Sequence, residues 1–224
     1  MKIVITGSTG WVGNAVLKKC LSTPAITSVV SISRRAPEIN DDKLTTILHD
    51  DFSSYPNAII EKMKTADACI YCLGTNIPVK PAELNRKINF DYALATANAF
   101  SEATKNKPSI RFVYLSGALP EKDPNKRLWI LEDNRKMRGE LENALLKLDQ
   151  EAGPTGMKIY IARPGFVQPP GANVRTWLIS TIANAILQDD LAAAMVQLAL
   201  EGSSGPLVEN AELKSIASSA KTSL

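Results

Sequence analysis

The segment Gly7-Ser8-Thr9-Gly10-Trp11-Val12-Gly13 follows an apolar run, Lys2–Thr6, and opens a stretch of helical spacing. Its G-x-x-G-x-x-G pattern is one residue longer in the first gap than the G-x-G-x-x-G dinucleotide fingerprint. The physics is the same: glycine permits a tight turn and close approach of a pyrophosphate, while free N–H groups at a helix N-terminus attract an anion. A glycine triplet alone is a weak signal, and a plain strand-to-helix turn is the alternative; the strand before and the helix after strengthen the dinucleotide reading. An NAD-selective site places an acid about 20 residues further on, to bond the ribose 2′-OH. Here the chain reads Ser33-Arg34-Arg35. Guanidinium groups can grip a 2′-phosphate bidentately and stack on adenine, so the pair predicts NADP, with NADPH preferred over NADH. A solvated basic pair in a loop is the plain alternative. Asp50 and Asp51 fall where a carboxylate could bond the adenine amine, or could serve as ordinary turn residues.

Other chemistries find little support. The chain has 224 residues, 45% hydrophobic and 22% charged, which suits one domain with a real core. Its 26 basic and 23 acidic residues are too balanced for a dedicated nucleic-acid binder. The single histidine, His49, and 3 cysteines supply neither a His-based metal site nor a disulfide framework. A redox C-x-x-C sits at a helix N-terminus. Cys69 and Cys72 lie instead in a strand-like run, where residues three apart face opposite ways, and so read as small buried hydrophobes. No apolar run approaches the roughly 18 residues that span a bilayer, and the chain opens directly into a strand instead of a charged leader. The expectation is a cytoplasmic protein, with peripheral attachment to an organelle surface left open.

These residues need elements to position them. Strands are expected at Lys2–Thr6, Ser28–Ser33, Leu44–Leu48, 67–73, 110–115, 158–162 and 207–208. Helices are expected at 12–21, Asn57–Lys64, 82–105, 135–151 and 191–200, with a last one from about Ala211. Ile88, Ala95, Ala99 and Ala103 would pack the long helix, and 176–188 fits an ordinary helix. Alternating strands and helices predict an α/β fold: a doubly wound, mostly parallel Rossmann sheet with helices on both faces. Residues 1–163 would form the nucleotide-binding core of a single domain and 164–224 a small C-terminal cap, with 119–128 a surface excursion.

The glycine loop, Cys72-Leu73-Gly74-Thr75, Tyr114-Leu115-Ser116-Gly117-Ala118, Arg138-Gly139-Glu140-Leu141-Glu142, Arg163-Pro164-Gly165 and Leu207-Val208-Glu209-Asn210 together resemble the short-chain dehydrogenase/reductase superfamily. The chain looks most like the atypical branch of Tat-interacting oxidoreductase-like and NmrA-like proteins. The resemblance implies that Gly7 to Gly13 wrap the pyrophosphate and that Arg34 and Arg35 take the 2′-phosphate. Leu73, Gly74 and Thr75 would line the adenosine ribose and the way to the nicotinamide. Ser116 would polarise a substrate carbonyl. Pro164, Gly165, Phe166 and Val167 would touch the nicotinamide amide through backbone groups. Active members carry Tyr-x-x-x-Lys, the tyrosine as proton donor and the lysine lowering its pKa and holding the nicotinamide ribose. Here those positions are Asn134 and Arg138, and no tyrosine has a lysine four residues later. Asparagine cannot release a proton, although Arg138 could still reach the ribose. Lys136, Tyr114 or a residue from 164–181 or 119–128 could supply the missing acid.

The expectation is therefore an NADP(H)-binding protein with weak or no standard reductase activity, acting as a redox sensor or regulator. The alternatives are an active NADPH-dependent reductase or isomerase of a small carbonyl or enone substrate, and an interaction scaffold that has lost the cofactor. The resemblance implies that helices 82–105 and 135–151, which related interfaces often use, would be the surfaces for a homodimer or a protein partner.

Overall fold

The computed structural model describes residues 1–75, 77–117, 119–123, 125–129, 131–169 and 184–222. Its main sheet has seven strands, all paired in parallel. They are β1 (Lys2–Thr6), β2 (Ser28–Ser33), β3 (Leu44–Leu48), β4 (Ala68–Tyr71), β5 (Arg111–Leu115), β6 (Lys158–Arg163) and, last in the chain, β9 (Leu207–Glu209). The spatial order β3-β2-β1-β4-β5-β6-β9 reverses direction between β1 and β4. That reversal opens a crevice beyond the carboxyl ends of the strands, where ligands of such sheets bind.

Period-two alternation puts a separate core on each face. Ile3, Ile5, Ile70 and Val113 join one cluster with Val16 and Leu17 of α1 (Trp11–Ser22). Leu191, Met195 and Leu198 of α6 (Gln188–Glu201) and Leu213 of α7 (Asn210–Thr222) complete it. Val4, Ile32, Phe112 and Tyr114 face the other cluster. There they meet Ile59 and Met63 of α2 (Asn57–Lys64), Phe100 of α4 (Tyr92–Thr104) and Leu141 and Leu145 of α5 (Glu132–Ala152). Cys69 belongs to the second cluster and Cys72 packs against the first, so the C-x-x-C points to opposite faces.

Several boundaries differ from the sequence expectation. The long helix divides into α3 (Ala82–Arg86), a π-helical turn Lys87–Asp91, and α4. The wider turn offsets the buried face. Phe90, Ala93, Ala97 and Phe100 are buried, whereas Ile88, Ala95, Ala99 and Ala103 are only partly covered. α5 begins at Glu132, ahead of the expected 135, where Glu132 and Asp133 suit the positive end of the helix dipole. Beyond β6 a parallel pair, β7 (Val167–Gln168) and β8 (Ile186–Leu187), was not foreseen. The helix expected over 176–188 lies largely outside the described residues; its described end is β8 and the first residue of α6.

Candidate functional site

The turn between β1 and α1 tolerates only glycine at its two ends. Gly7 has φ 72°, and a Cβ there would lie 2.6 Å from the Cys72 carbonyl carbon. A Cβ on Gly13 would lie 2.0 Å from the Gly7 oxygen. Gly10 is the extended N-cap of α1 and offers no side-chain acceptor, so the N–H groups of Trp11, Val12 and Gly13 keep no intrahelical partner. Gly10 is exposed and Thr9 and Val12 are partly covered, which leaves the loop open to a ligand. The Ser8 hydroxyl instead turns inward, 2.6 Å from that of Ser31 on β2, and anchors the loop. Trp11 is half exposed, and its carbonyl accepts from Gln188 Nε2 at 2.7 Å, which ties α6 to the loop.

Arg34 and Arg35 leave the end of β2 exposed, in a turn shaped by Ser33 Oγ donating to the Arg35 carbonyl at 2.7 Å. Neither guanidinium makes an ion pair among the described residues. Asp50 is exposed at the end of β3. Asp51 accepts the Ser53 N–H at 3.2 Å and lies 3.5 Å from Lys87 Nζ; Ser53 and Lys87 hold its carboxyl below the usual range. Asp51 is thus engaged within the protein, and Asp50 is the freer of the two.

Past β4, Leu73 is half-buried and Gly74 exposed. The Thr75 N–H donates to Asn89 Oδ1 at 2.7 Å. Past β5, the Ser116 hydroxyl donates to Glu142 Oε1 at 2.7 Å, inside the protein. Glu142 is fully buried and is also bound by Arg163, whose other edge reaches Glu209 at 2.6 Å. The Ser116 proton is committed to this carboxylate, so it cannot at the same time polarise a substrate carbonyl as the resemblance implies.

Asn134, Arg138 and Glu142 follow one another at four-residue spacing along α5. A Cβ on Gly117 would lie 2.7 Å from Arg138 Nη1, so the guanidinium covers the backbone at the end of β5. Asn134 is 5% exposed and accepts from Asn85 Nδ2 at 2.8 Å. Two of the other acid candidates, Tyr114 and Lys136, are engaged elsewhere, and residues 170–181 lie outside the described residues. Tyr114 is buried in the second core beside Tyr71, and burial pushes its hydroxyl well above the usual range against the opposing charge of Arg138. Lys136 pairs with Glu132 at 2.7 Å and lines a separate 430 Å³ hollow with Arg86, Glu121 and Glu140.

Pro164 is buried, and the N–H of Gly165 is taken by Asn210 Oδ1 at 2.8 Å. The Phe166 carbonyl accepts from Ile186 at 2.9 Å, while the Phe166 side chain is 58% exposed; Val167 begins β7. Two of the backbone groups expected to face a nicotinamide are therefore already bonded. Residues 170–183 and 223–224 of the expected cap lie outside the described residues. Sequence reasoning missed Asn85, Asn89, Glu142 and Asn210. For Glu142 a signal existed, since it stands one turn beyond Arg138 on the same helix face.

A doubly wound parallel sheet with a glycine-only turn at its first strand and two exposed cations just past the second defines a dinucleotide-binding Rossmann protein. The steric test is met, because the space beside Gly7 and Gly13 excludes a Cβ while the α1 N-terminus stays open. The chain belongs to the NAD(P)H-binding family, whose sequence profile matches residues 7–201. It is 30% identical over 168 residues to "Protein fmp-52, mitochondrial" of Neurospora crassa, covering 73% of this chain and 63% of that one. Among solved structures it is similar to the oxidoreductase ylbE from Lactococcus lactis, with TM-score 0.66, 21% identity and 96% of each chain covered. It is also similar to the Bordetella bronchiseptica enzyme WbmH in complex with NAD+, with TM-score 0.65, 17% identity, and 93% of this chain and 75% of that one covered. At those identities the likeness speaks for the fold. The superfamily resemblance stands, but the cytoplasmic expectation does not: the relatives from Candida albicans, Neurospora crassa and Emericella nidulans are each named mitochondrial. No helix among the described residues is long and apolar enough to cross a membrane, and they hold no cluster of metal-ligating side chains.

Proposed function

We propose that the protein binds NADP(H) and has little standard reductase activity, so that occupancy by the dinucleotide, more than turnover, is its output as a redox sensor or regulator. The observation that carries this is the pairing of an open glycine cradle and free Arg34 and Arg35 with an amide, Asn134, at the position of the family's acid. The N–H groups of Trp11, Val12 and Gly13 neutralise pyrophosphate charge, and Gly7 and Gly13 let it approach. Arg34 and Arg35 take the 2′-phosphate, with Asp50 available to the adenine amine. The bound dinucleotide would supply a hydride donor or acceptor. The Arg138 guanidinium can donate hydrogen bonds to a ribose hydroxyl, and the Asn134 amide is unable to act as an acid. Ser116 and Glu142, locked to each other and to Arg163, stiffen the floor of the site. The names of the fmp-52 relatives support a mitochondrial setting.

The reading is tested by calorimetry with NADPH and NADH, joined to an NADPH-oxidation screen over small carbonyl and enone compounds. Binding with preference for NADPH and no robust turnover is expected. Robust turnover would favour a reductase or isomerase; absence of any binding at millimolar dinucleotide would leave a scaffold.

A further inference from the structure

One polar cluster beside the site, buried at Asn85 and Asn134 and half-buried at Asn89, is not explained by dinucleotide binding as described so far. A row of amides runs from the loop after β4, through α3 and the π turn, to α5. Asn89 Oδ1 accepts the Thr75 N–H at 2.7 Å, and Asn89 Nδ2 donates to Asn85 Oδ1 at 2.9 Å. Asn85 Oδ1 also accepts the Val79 N–H at 3.0 Å, and Asn85 Nδ2 donates to Asn134 Oδ1 at 2.8 Å.

The sense of every amide in the row is fixed by backbone. A backbone N–H can only donate, so Thr75 sets the oxygen of Asn89 and Val79 sets the oxygen of Asn85. Asn85 must then present its nitrogen to Asn134, and Asn134 must answer with its oxygen. The amino group of Asn134 is left over. It has no partner among the described residues, although the residue is 95% covered as its 5% exposure gives. Its nitrogen is not among the fully enclosed polar atoms that lack a partner, so it keeps an opening through which an acceptor from outside the chain can reach it. Withdrawing the amides of Asn85 and Asn134 from water is a cost that tying a loop down does not by itself offset.

Position supplies the acceptor. On the dinucleotide reading, Arg34 and Arg35 just past β2 mark the adenosine end of the crevice, so the nicotinamide end lies across β1, over β4 and β5. Asn134 bonds through Asn85 to the loop after β4 and lies one turn before Arg138, which covers the loop after β5. We infer that Asn85 and Asn89 are positioning residues that hold Asn134 with its amino group free, as a neutral donor to a hydroxyl or carbonyl oxygen at the nicotinamide end of the dinucleotide. The inference rests on the dinucleotide reading. It replaces the family's proton donor with a group that recognises an oxygen and cannot protonate it.

The test is affinity. N134D keeps an oxygen for Asn85 Nδ2 and removes both donors. N85D keeps acceptors for Val79 and Asn89 and removes the donor that orients Asn134. Calorimetry is run with NADPH and with 2′,5′-ADP, which lacks the nicotinamide half, together with thermal unfolding and the fluorescence of bound NADPH. The expected result is a loss of NADPH affinity of about tenfold or more for N134D and about threefold or more for N85D. Binding of 2′,5′-ADP should be unchanged, and the emission of bound NADPH should shift. Because 2′,5′-ADP is also anionic, general repulsion by the new carboxylate would weaken both ligands, whereas the inference requires the loss to fall on NADPH. N85D leaves Asn134 in place and is an independent arm should N134D fail to fold. If both variants bind NADPH as the wild type does, or lose 2′,5′-ADP equally, the inference is overturned. If the wild type binds neither ligand, the dinucleotide reading itself has failed.

Discussion

Arg34 and Arg35 stand exposed at the end of β2 with no ion pair among the described residues, so removing them should disturb little except a ligand. The R34A/R35A double variant is expected to lose about 100-fold in NADPH affinity while NADH changes less than about threefold; each charge-assisted bond to phosphate is worth about 1.5–3 kcal/mol. Calorimetry with both cofactors measures it. Cys20 and Cys69 are fully buried, and burial pushes the Cys20 thiol up to about 12 and the Cys69 thiol also well up. In the native state at pH 8 these two should not react with a disulfide reagent; in denaturant all 3 thiols should titrate. A fast native reaction of two or more would contradict the packing. The glycine-only turn and the exposed place of the two arginines were legible because each depends on residues close by in the chain. Ser116 was not, since its partner Glu142 lies 26 positions away and only the fold brings them together.

Asp67 joins the foot of the sheet, accepting the Lys2 N–H at 2.8 Å and the Lys107 ammonium at 2.6 Å. Burial opposes its charge, but these two donors outweigh it and hold the carboxyl below the usual range. A depressed folded pKa contributes stability above the unfolded value, near 4, which is lost as pH falls through the folded one. D67N should therefore cost about 1 kcal/mol or less at pH 6, a difference that shrinks below about pH 4; chemical denaturation at both pH values checks it. At α5, a Cβ on Gly139 would meet the Glu121 carbonyl oxygen at 1.9 Å. G139A should push residues 119–123 off the helix, cost about 1–3 kcal/mol and raise tryptic cleavage at Lys122. Strands and helices with clean periodicity were legible in the sequence. The π turn was not, because Lys87–Asp91 carries no residue that forces it, and it moved the buried face of the long helix from Ala95 and Ala99 to Ala93 and Ala97. The two-residue strands β7 and β8 are too short to show any period.

For the whole molecule, alternation of strand and helix was enough to foretell the doubly wound sheet. Cellular setting was not legible in the composition, and the cytoplasmic expectation is overturned by relatives that are named mitochondrial. A ligand that binds only the folded state stabilises all of it. At about 100 times its dissociation constant NADPH should add about 2.7 kcal/mol and raise the thermal midpoint by about 5–10 °C. The most direct measurement is paired calorimetric titration of the wild-type protein with NADPH and NADH under one buffer. A single site with NADPH at least about tenfold tighter than NADH is predicted, in proportion to the 2′-phosphate contacts of Arg34 and Arg35. No heat of binding from either at millimolar concentration, or a tighter NADH, would contradict it.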